Sequence, residues 1–527
     1  MEVSRSMKDI QWLRHRVGQF LCVGFDGLTV PSHVNDLLTT HHVGNIILFS
    51  RNVSTTEQLI QLNQELQTIA KQGGQELPLT ISADQENGVV RRLPADIPGL
   101  PGNMALGATG NAQWALKSGQ LTAQLLRHVG INFNLAPVLD VNNNAKNPVI
   151  GVRSFADTPD MVADFGEKFI QGLQSQGVIA CGKHFPGHGD TTVDSHLQLP
   201  TINHGRPRLE RVELVPFRRA IEAGVDALMT AHVVFPAIEP KPIAATLSRR
   251  VLTDLLRQEL GFNGLIITDC LEMNAVANTV GVGRGAVMAL QAGADMVLVS
   301  HRLDRQLDAL ASIVQAVETG ELSQDRIDDA YQRVANLKKA RLTSNRRVRP
   351  WAQLIEETRT LQHDLAEHAV TKLRWESPLP PSVRRVAVLV DERVPVMVAA
   401  GDNHSPVLLA DALQAVRPDL HSTVFRFPET LQQVRTDDLL AQLRQYDFVL
   451  IGINGGENKD YLEFVHQVHA QSILNVTLLL RSPYDAHLVP QSTNLLALYE
   501  NTPWMAEAAV AAMFGGTADG ALPVRIP

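Results

Sequence analysis

Cysteine is scarce in this chain of 527 residues: Cys22, Cys181 and Cys270 are the only three, each flanked by apolar residues. So sparse and odd a set makes no disulfide framework, and a reducing, intracellular setting is expected. No window approaches 18 uncharged apolar residues, so no membrane span and no membrane partner is expected. The first residues, MEVSRSMKDIQWLRHRVGQFLCVGF, lack the unbroken apolar stretch and small-residue cleavage site of a secretory signal, which makes the cytoplasm the expected location. Aromatic residues make up 5% of the chain, too few for the long stacking grooves in which polymers lie flat, so short ligands are favoured. The net charge of −8 comes without a clustered basic face, which gives no support for nucleic acid as a partner.

What is present is ordinary globular composition, 44% hydrophobic and 19% charged. A single core stops growing near about 250–300 residues, so at least two domains are expected. Short β-rich runs alternate with longer helical patterns over 19–300. Eight candidate strands lie at 19–25, 44–49, 78–84, 132–141, 178–184, 227–233, 265–270 and 294–300, several apolar throughout as strands covered on both faces should be. Between them run amphipathic stretches such as 55–70, where Leu59, Leu62, Leu66 and Ile69 recur at helical spacing after a Ser54-x-x-Glu57 capping box. Eight such units predict an α/β fold built on a (β/α)8 barrel over 1–343, an open doubly wound sheet being the alternative. A proline-bearing linker with a helix follows over 344–382, then a smaller α/β, sandwich-like domain over 383–527 with strands near 384–391, 447–453 and 474–481.

In a barrel, chemistry sits where the strands end, and ionisable residues collect there. Strand three ends in Asp84-Gln85-Glu86-Asn87-Gly88, strand four in Asp140, strand five in Lys183-His184, strand six in His232 and strand seven in Asp269. The loop after strand five, KHFPGHGDTTVDSH (183–196), carries three histidines and has no apolar periodicity. Asp194 and His196 are two apart, so extended backbone would turn both to one side as a carboxylate–imidazole pair. Other readings stand beside this one. Asp194 and His196 could simply hydrogen-bond their loop. Asp269-x-x-Glu272 could be a capping box. His184, His188, Asp190 and His196 could gather around zinc, although VGFDG in strand one lacks the paired histidines such barrels carry.

The run KHFPGHGDTTVDSH resembles the signature of glycoside hydrolase family 3 β-N-acetylglucosaminidases, and ADQENGVVRRL (83–93), GVRSFADTP (151–159) and ITDCLEMNA (267–275) agree with it in order and spacing. The likeness covers about 15–345. It implies a retaining exo-β-N-acetylglucosaminidase acting on a small carbohydrate with a terminal GlcNAc, from a chito-oligosaccharide or a peptidoglycan-type fragment, with no metal and no organic cofactor. By that likeness Asp269 is the nucleophile, His196 the acid/base and Asp194 its partner, while Asp84, Arg92, Arg153, Lys183 and His184 hold the sugar. Imidazole, with a free pKa of about 6.5, suits proton transfer near neutrality. This chain reads DQEN where many bacterial members read DQEG, so the shape of that loop turns on Asn87. His188 and His232 are expected to shape the pocket. A second carboxylate from the C-terminal domain, Glu457, would be the acid/base if the family's glucosidase pattern applied instead, and a phosphorylase would use phosphate in place of water. The oligomeric state is not fixed by any of these residues.

Overall fold

The structure, a computed structural model, describes residues 13, 15–195, 198–343, 349–391, 408–471, 473–491 and 494–526. Eight parallel strands close into a barrel: β1 (Leu21–Val23), β2 (Asn45–Leu48), β3 (Thr80–Ala83), β4 (Phe133–Asn134), β5 (Ile179–Phe185), β6 (Ala227–Thr230), β7 (Leu265–Cys270) and β8 (Met296–Val299), with β8 pairing back onto β1. Every candidate strand of the first domain overlaps one of them. Side chains alternate across each strand, so one set fills the barrel and the other meets the helices. In β8, Met296 and Leu298 pack inward with Ile47, Phe133, Ile179, Met229 and Ile267, while Val297 and Val299 face the helical layer. Each such buried aliphatic side chain contributes about 1.5–3 kcal/mol.

The helix Thr56–Gln72 buries Leu59, Leu62, Leu66 and Ile69 as their spacing predicts, but its cap lies one residue later than expected. Thr55 accepts from the Gln58 amide, and Ser54 bonds the Gln58 side chain instead of forming a box with Glu57.

The second domain is a six-stranded sheet in the order β11-β10-β12-β13-β14-β9. Its strands are β9 (Thr371–Arg374), β10 (Arg385–Asp391), β11 (His421–Phe427), β12 (Phe448–Ile453), β13 (Asn475–Leu479) and β14 (Asn494–Ala497). All pairings are parallel except β14 with β9. The segment expected as a linker therefore supplies an edge strand to this sheet. Helices cover both faces, which explains the unbroken apolar runs of β10 and β12. One of its two cores takes in Met104, Ala105, Ala108 and Val152 from barrel loops, so the domains share buried apolar surface. No helix among the described residues is long and apolar enough to cross a membrane.

Candidate active site

The carboxyl ends of the barrel strands surround a cavity of about 410 Å³, within the range of about 300–1,000 Å³ usual for small-ligand sites. Two irregularities in the barrel aim side chains into it. Between β5 and β6 the register moves from Gly182↔Leu228 to Phe185↔Thr230, three residues against two, with Lys183 and His184 in the extra span. Between β7 and β8 it moves from Ile267↔Met296 to Cys270↔Leu298, with Asp269 in the extra span. Bulges re-aim side chains in this way at barrel rims. Lys183, His184 and Asp269 all line the cavity.

Behind one wall lies a buried ion network. Lys183 Nζ stands 2.6 Å from both Asp84 Oδ1 and Glu86 Oε1, and Arg153 grips Glu86 through Nη2 at 2.7 Å and Nε at 2.8 Å. Burial disfavours the charge on Glu86, yet Arg153 and Lys183 outweigh it and hold this carboxyl well below the usual range. Burial likewise opposes the Lys183 charge, but Asp84 and Glu86 raise its pKa overall. A lysine has three N–H donors and an arginine five, so both cations keep donors beyond those used on Glu86 and Asp84. Asp84 is the open member of the network, its side chain 19% exposed against 3% for Glu86.

The loop bearing Asp84 is held from within. Gln85 Oε1 accepts from the Arg92 and Leu93 amides, and Gln85 pairs with Asn134 on β4 in both directions. Asn87 takes φ +71°, a left-handed conformation that asparagine adopts more readily than most residues, so the loop keeps the turn glycine would give it. Arg92 lines the cavity, whereas Arg91 turns away to the carbonyls of Pro94 and Ile97. Burial lowers the pKa of the Arg92 guanidinium.

Asp140, at the end of the fourth segment, is fully buried and organises the β5 loop. Its Oδ2 lies 2.7 Å from His184 Nδ1 and its Oδ1 accepts the His188 amide at 2.6 Å. That leaves Nε2 as the His184 nitrogen available to a ligand. His188 bridges two hydroxyls, Nδ1 to Thr191 Oγ1 and Nε2 to Ser195 Oγ, both at 2.9 Å, and burial pushes it down to about 4, so it is neutral. Gly189 is required here, since a Cβ would collide with the Val141 carbonyl oxygen. Ser195 lines the cavity, and Asp194 beside it is half-buried. His196 lies outside the described residues.

Asp269 Oδ1 accepts the amide of Cys270 at 2.7 Å. The carbonyl of Cys270 is met by His232 Nε2 at 2.9 Å, so His232, itself fully buried, braces the backbone that carries Asp269. Glu272 makes no capping box with Asp269. It accepts from the amides of His301 and Arg302 at the start of the helix Leu303–Glu318. Glu457 is exposed on the loop after β12 and is not part of the cavity lining.

Among the described residues, two sets bring three metal-type donors within 4.8 Å of one another: Cys270, Glu272 and His301, and Asp190, His204 and Glu213. Each has protein partners already. Burial pushes the Cys270 thiol up to about 12, Asp190 bonds His204, and Glu213 accepts from Asn143 and Arg208. In the alternative zinc grouping of His184, His188, Asp190 and His196, the last lies outside the described residues, and both ring nitrogens of His188 are engaged by hydroxyls.

Glu86 and Ser195 line the cavity and Asp140 holds the β5 loop; the sequence places Glu86 and Asp140 at strand ends without assigning either a role, and Ser195 only inside its motif. The signal for Glu86 is its spacing of two from Asp84, the same argument that applies to Asp194 and His196.

Residues 12–337 match the family described as "Glycosyl hydrolase family 3 N terminal domain". The chain is 30% identical over 513 residues to "Beta-hexosaminidase A" of Pseudoalteromonas piscicida, covering 89% of this chain and 85% of that one. It is 36% identical over 304 residues to "Beta-hexosaminidase" of Nitrosomonas eutropha, covering 56% of this chain and 85% of that protein. Among solved structures, a glycoside hydrolase family 3 beta-N-acetylglucosaminidase from Paenibacillus sp. superposes with a TM-score of 0.91 at 39% identity, over 98% of this chain and 99% of that one.

Proposed function

This chain belongs to glycosyl hydrolase family 3 and is a glycoside hydrolase, and on that footing we propose that it is a retaining exo-β-N-acetylglucosaminidase. It removes terminal GlcNAc from short chito-oligosaccharides or peptidoglycan-type fragments, with Asp269 as nucleophile and His196, held by Asp194, as acid/base. The observation that carries this reading is that Asp269 and the Lys183–Asp84–Glu86–Arg153 network line one cavity sized for a small ligand. The names of the hexosaminidase relatives agree with it.

In the first step a carboxylate oxygen of Asp269 bonds to the anomeric carbon as the glycosidic C–O bond breaks, and His196 gives the departing oxygen its proton. In the second step water attacks the same carbon, yields its proton to the now neutral imidazole, and the ester to Asp269 breaks. Two displacements return the original configuration. Asp84 accepts from sugar hydroxyls, while Lys183, Arg153 and Arg92 donate to hydroxyl or amide oxygens and His184 contributes Nε2.

Incubation with a 5-fluoro N-acetylglucosaminyl fluoride followed by peptide mapping tests the nucleophile. Asp269 should carry the label, and Asp269→Asn should lower kcat by about 10³-fold or more. A label on another residue, or full turnover in the variant, defeats the assignment.

A further inference from the structure

The C-terminal domain reaches the sugar-binding cluster from behind. Glu500 follows β14 and is 1% exposed, and its carboxylate crosses the domain seam. Oε2 accepts the Gly102 amide of the barrel at 2.7 Å, while Oε1 accepts from Trp504 Nε1 at 2.7 Å and Thr502 Oγ1 at 3.0 Å within its own domain. The same Oε2 rests against Gly88, where a Cβ would come within 2.6 Å of it, so the carboxylate touches both Gly88 and Gly102. These glycines sit at two attachment points of the cluster. Gly88 is two residues beyond Glu86. Gly102 precedes Asn103, whose Nδ2 donates to the Arg153 carbonyl at 2.6 Å. Glu500 and the Glu86–Arg153 pair line the same small cavity of about 10 Å³.

We propose that Glu500 is a positioning residue through which the C-terminal domain fixes Asp84, Glu86 and Arg153 for sugar binding. It touches no reacting atom. Its carboxylate sets the two glycine-borne backbone segments, and these set where Glu86 and the Arg153 guanidinium meet. The backbone leading to it is itself constrained: Tyr499 has φ +66° and its hydroxyl bonds Thr371 Oγ1 at 2.6 Å, tying the turn to β9. The three donors that converge on Glu500 come from both domains, so its removal would leave the buried Gly102 N–H unmet on the barrel side and take the acceptor from the half-buried Trp504 N–H and Thr502 hydroxyl on the other.

The proposal rests on the reading of Asp84, Lys183 and Arg153 as sugar contacts, and the test separates the two. In the full chain, Glu500→Ala should lower kcat/KM about tenfold or more, chiefly through KM, and weaken binding of free N-acetylglucosamine by a similar factor. Glu500→Gln keeps an acceptor oxygen for Gly102 and should recover most of the loss. Trp504→Phe removes one donor without touching Glu500 and should shift KM the same way by a few-fold, which keeps the test open if Glu500→Ala does not fold. Lys183→Met is the control for the contact itself. If Lys183→Met loses N-acetylglucosamine while Glu500→Ala and Trp504→Phe stay within twofold of the parent, or fall in kcat with KM unmoved, the role of Glu500 is wrong. If Lys183→Met binds N-acetylglucosamine normally, the sugar-contact reading fails and this proposal with it.

Discussion

Glu86 shows how much a single buried charge can be asked to hold. With 3% of its side chain exposed, it is the common partner of Arg153 and Lys183. Replacing it by glutamine keeps the shape but removes the charge that makes those two cations tolerable in a dry site. Breaking a buried pair by removing one partner costs about 3–5 kcal/mol, because the other charge stays behind. Glu86→Gln should therefore lose that much stability in urea denaturation and lose activity as well, since Lys183 and Arg153 would relax away from Asp84. A variant as stable and as active as the parent would mean that Asp84 alone neutralises the cluster. At this scale the sequence is partly legible. Asp84, Arg92, Arg153, Lys183 and His184, all marked by their motifs, reach one cavity with Asp269. Glu86 and Asp140 are harder to see, because their role is to hold other side chains and a motif does not show who faces whom.

At the scale of elements, the first domain is readable because several barrel strands are apolar on both faces and the runs are bounded by polar turns. The second sheet is half readable for the same reason turned around. β10, β12 and β13 are central and apolar, whereas β11 (HSTVFRF) and β9 (TKLR) are edge strands with exposed, polar residues that carry no strong pattern. Bulges at Lys183–His184 and at Asp269 leave no trace in the sequence, although they decide which side chains face the ligand. The floor of the barrel offers a test of its own. Lys338, on the helix Gln324–Leu342, is fully buried, and its ammonium donates to Gln19 Oε1 at 2.9 Å and the Gly44 carbonyl at 2.7 Å, both neutral. Burial pushes this lysine down to about 7. The unfolded chain, with a lysine near pKa 10.4, then binds more protons than the folded one between about pH 7 and 10.4, so stability contributed by this site rises with pH across that window. Below pH 7 the folded site is charged and its full burial cost applies. Urea midpoints measured from pH 7 to 10 should climb more steeply in the parent than in Lys338→Met. Equal slopes would place the proton of Lys338 outside this window.

The whole molecule is two domains joined by more than a tether. Met104, Ala105, Ala108 and Val152 of the barrel are buried in the second domain's core. Around that patch, Asn142 Nδ2 donates to Tyr484 Oη at 2.8 Å, Arg525 pairs with Asp157 at 3.0 Å, and Gln362 Nε2 donates to the Gly99 carbonyl at 2.6 Å. A seam of this kind is not foreseeable from composition, since each of its residues reads locally as an ordinary core or surface position. Glu500 gives the seam a pH dependence. Burial raises its carboxyl to about 7, against which the Gly102, Thr502 and Trp504 donors pull downward. The charged groups that line the small cavity with it, Glu86 and Arg153, are paired with each other and largely cancel. Because the folded value lies above the ordinary glutamate value near 4.5, the folded chain holds the extra proton between about pH 4.5 and 7. The contribution of Glu500 to stability is thus complete below about pH 4.5 and is lost as the pH rises through 7. Thermal melts of the full chain from pH 5 to 8 should show a fall in Tm with rising pH that Glu500→Gln lacks, and identical pH profiles for the two proteins would mean that Glu500 is already ionised at pH 5 and that its three donors, not its proton, hold the domains together.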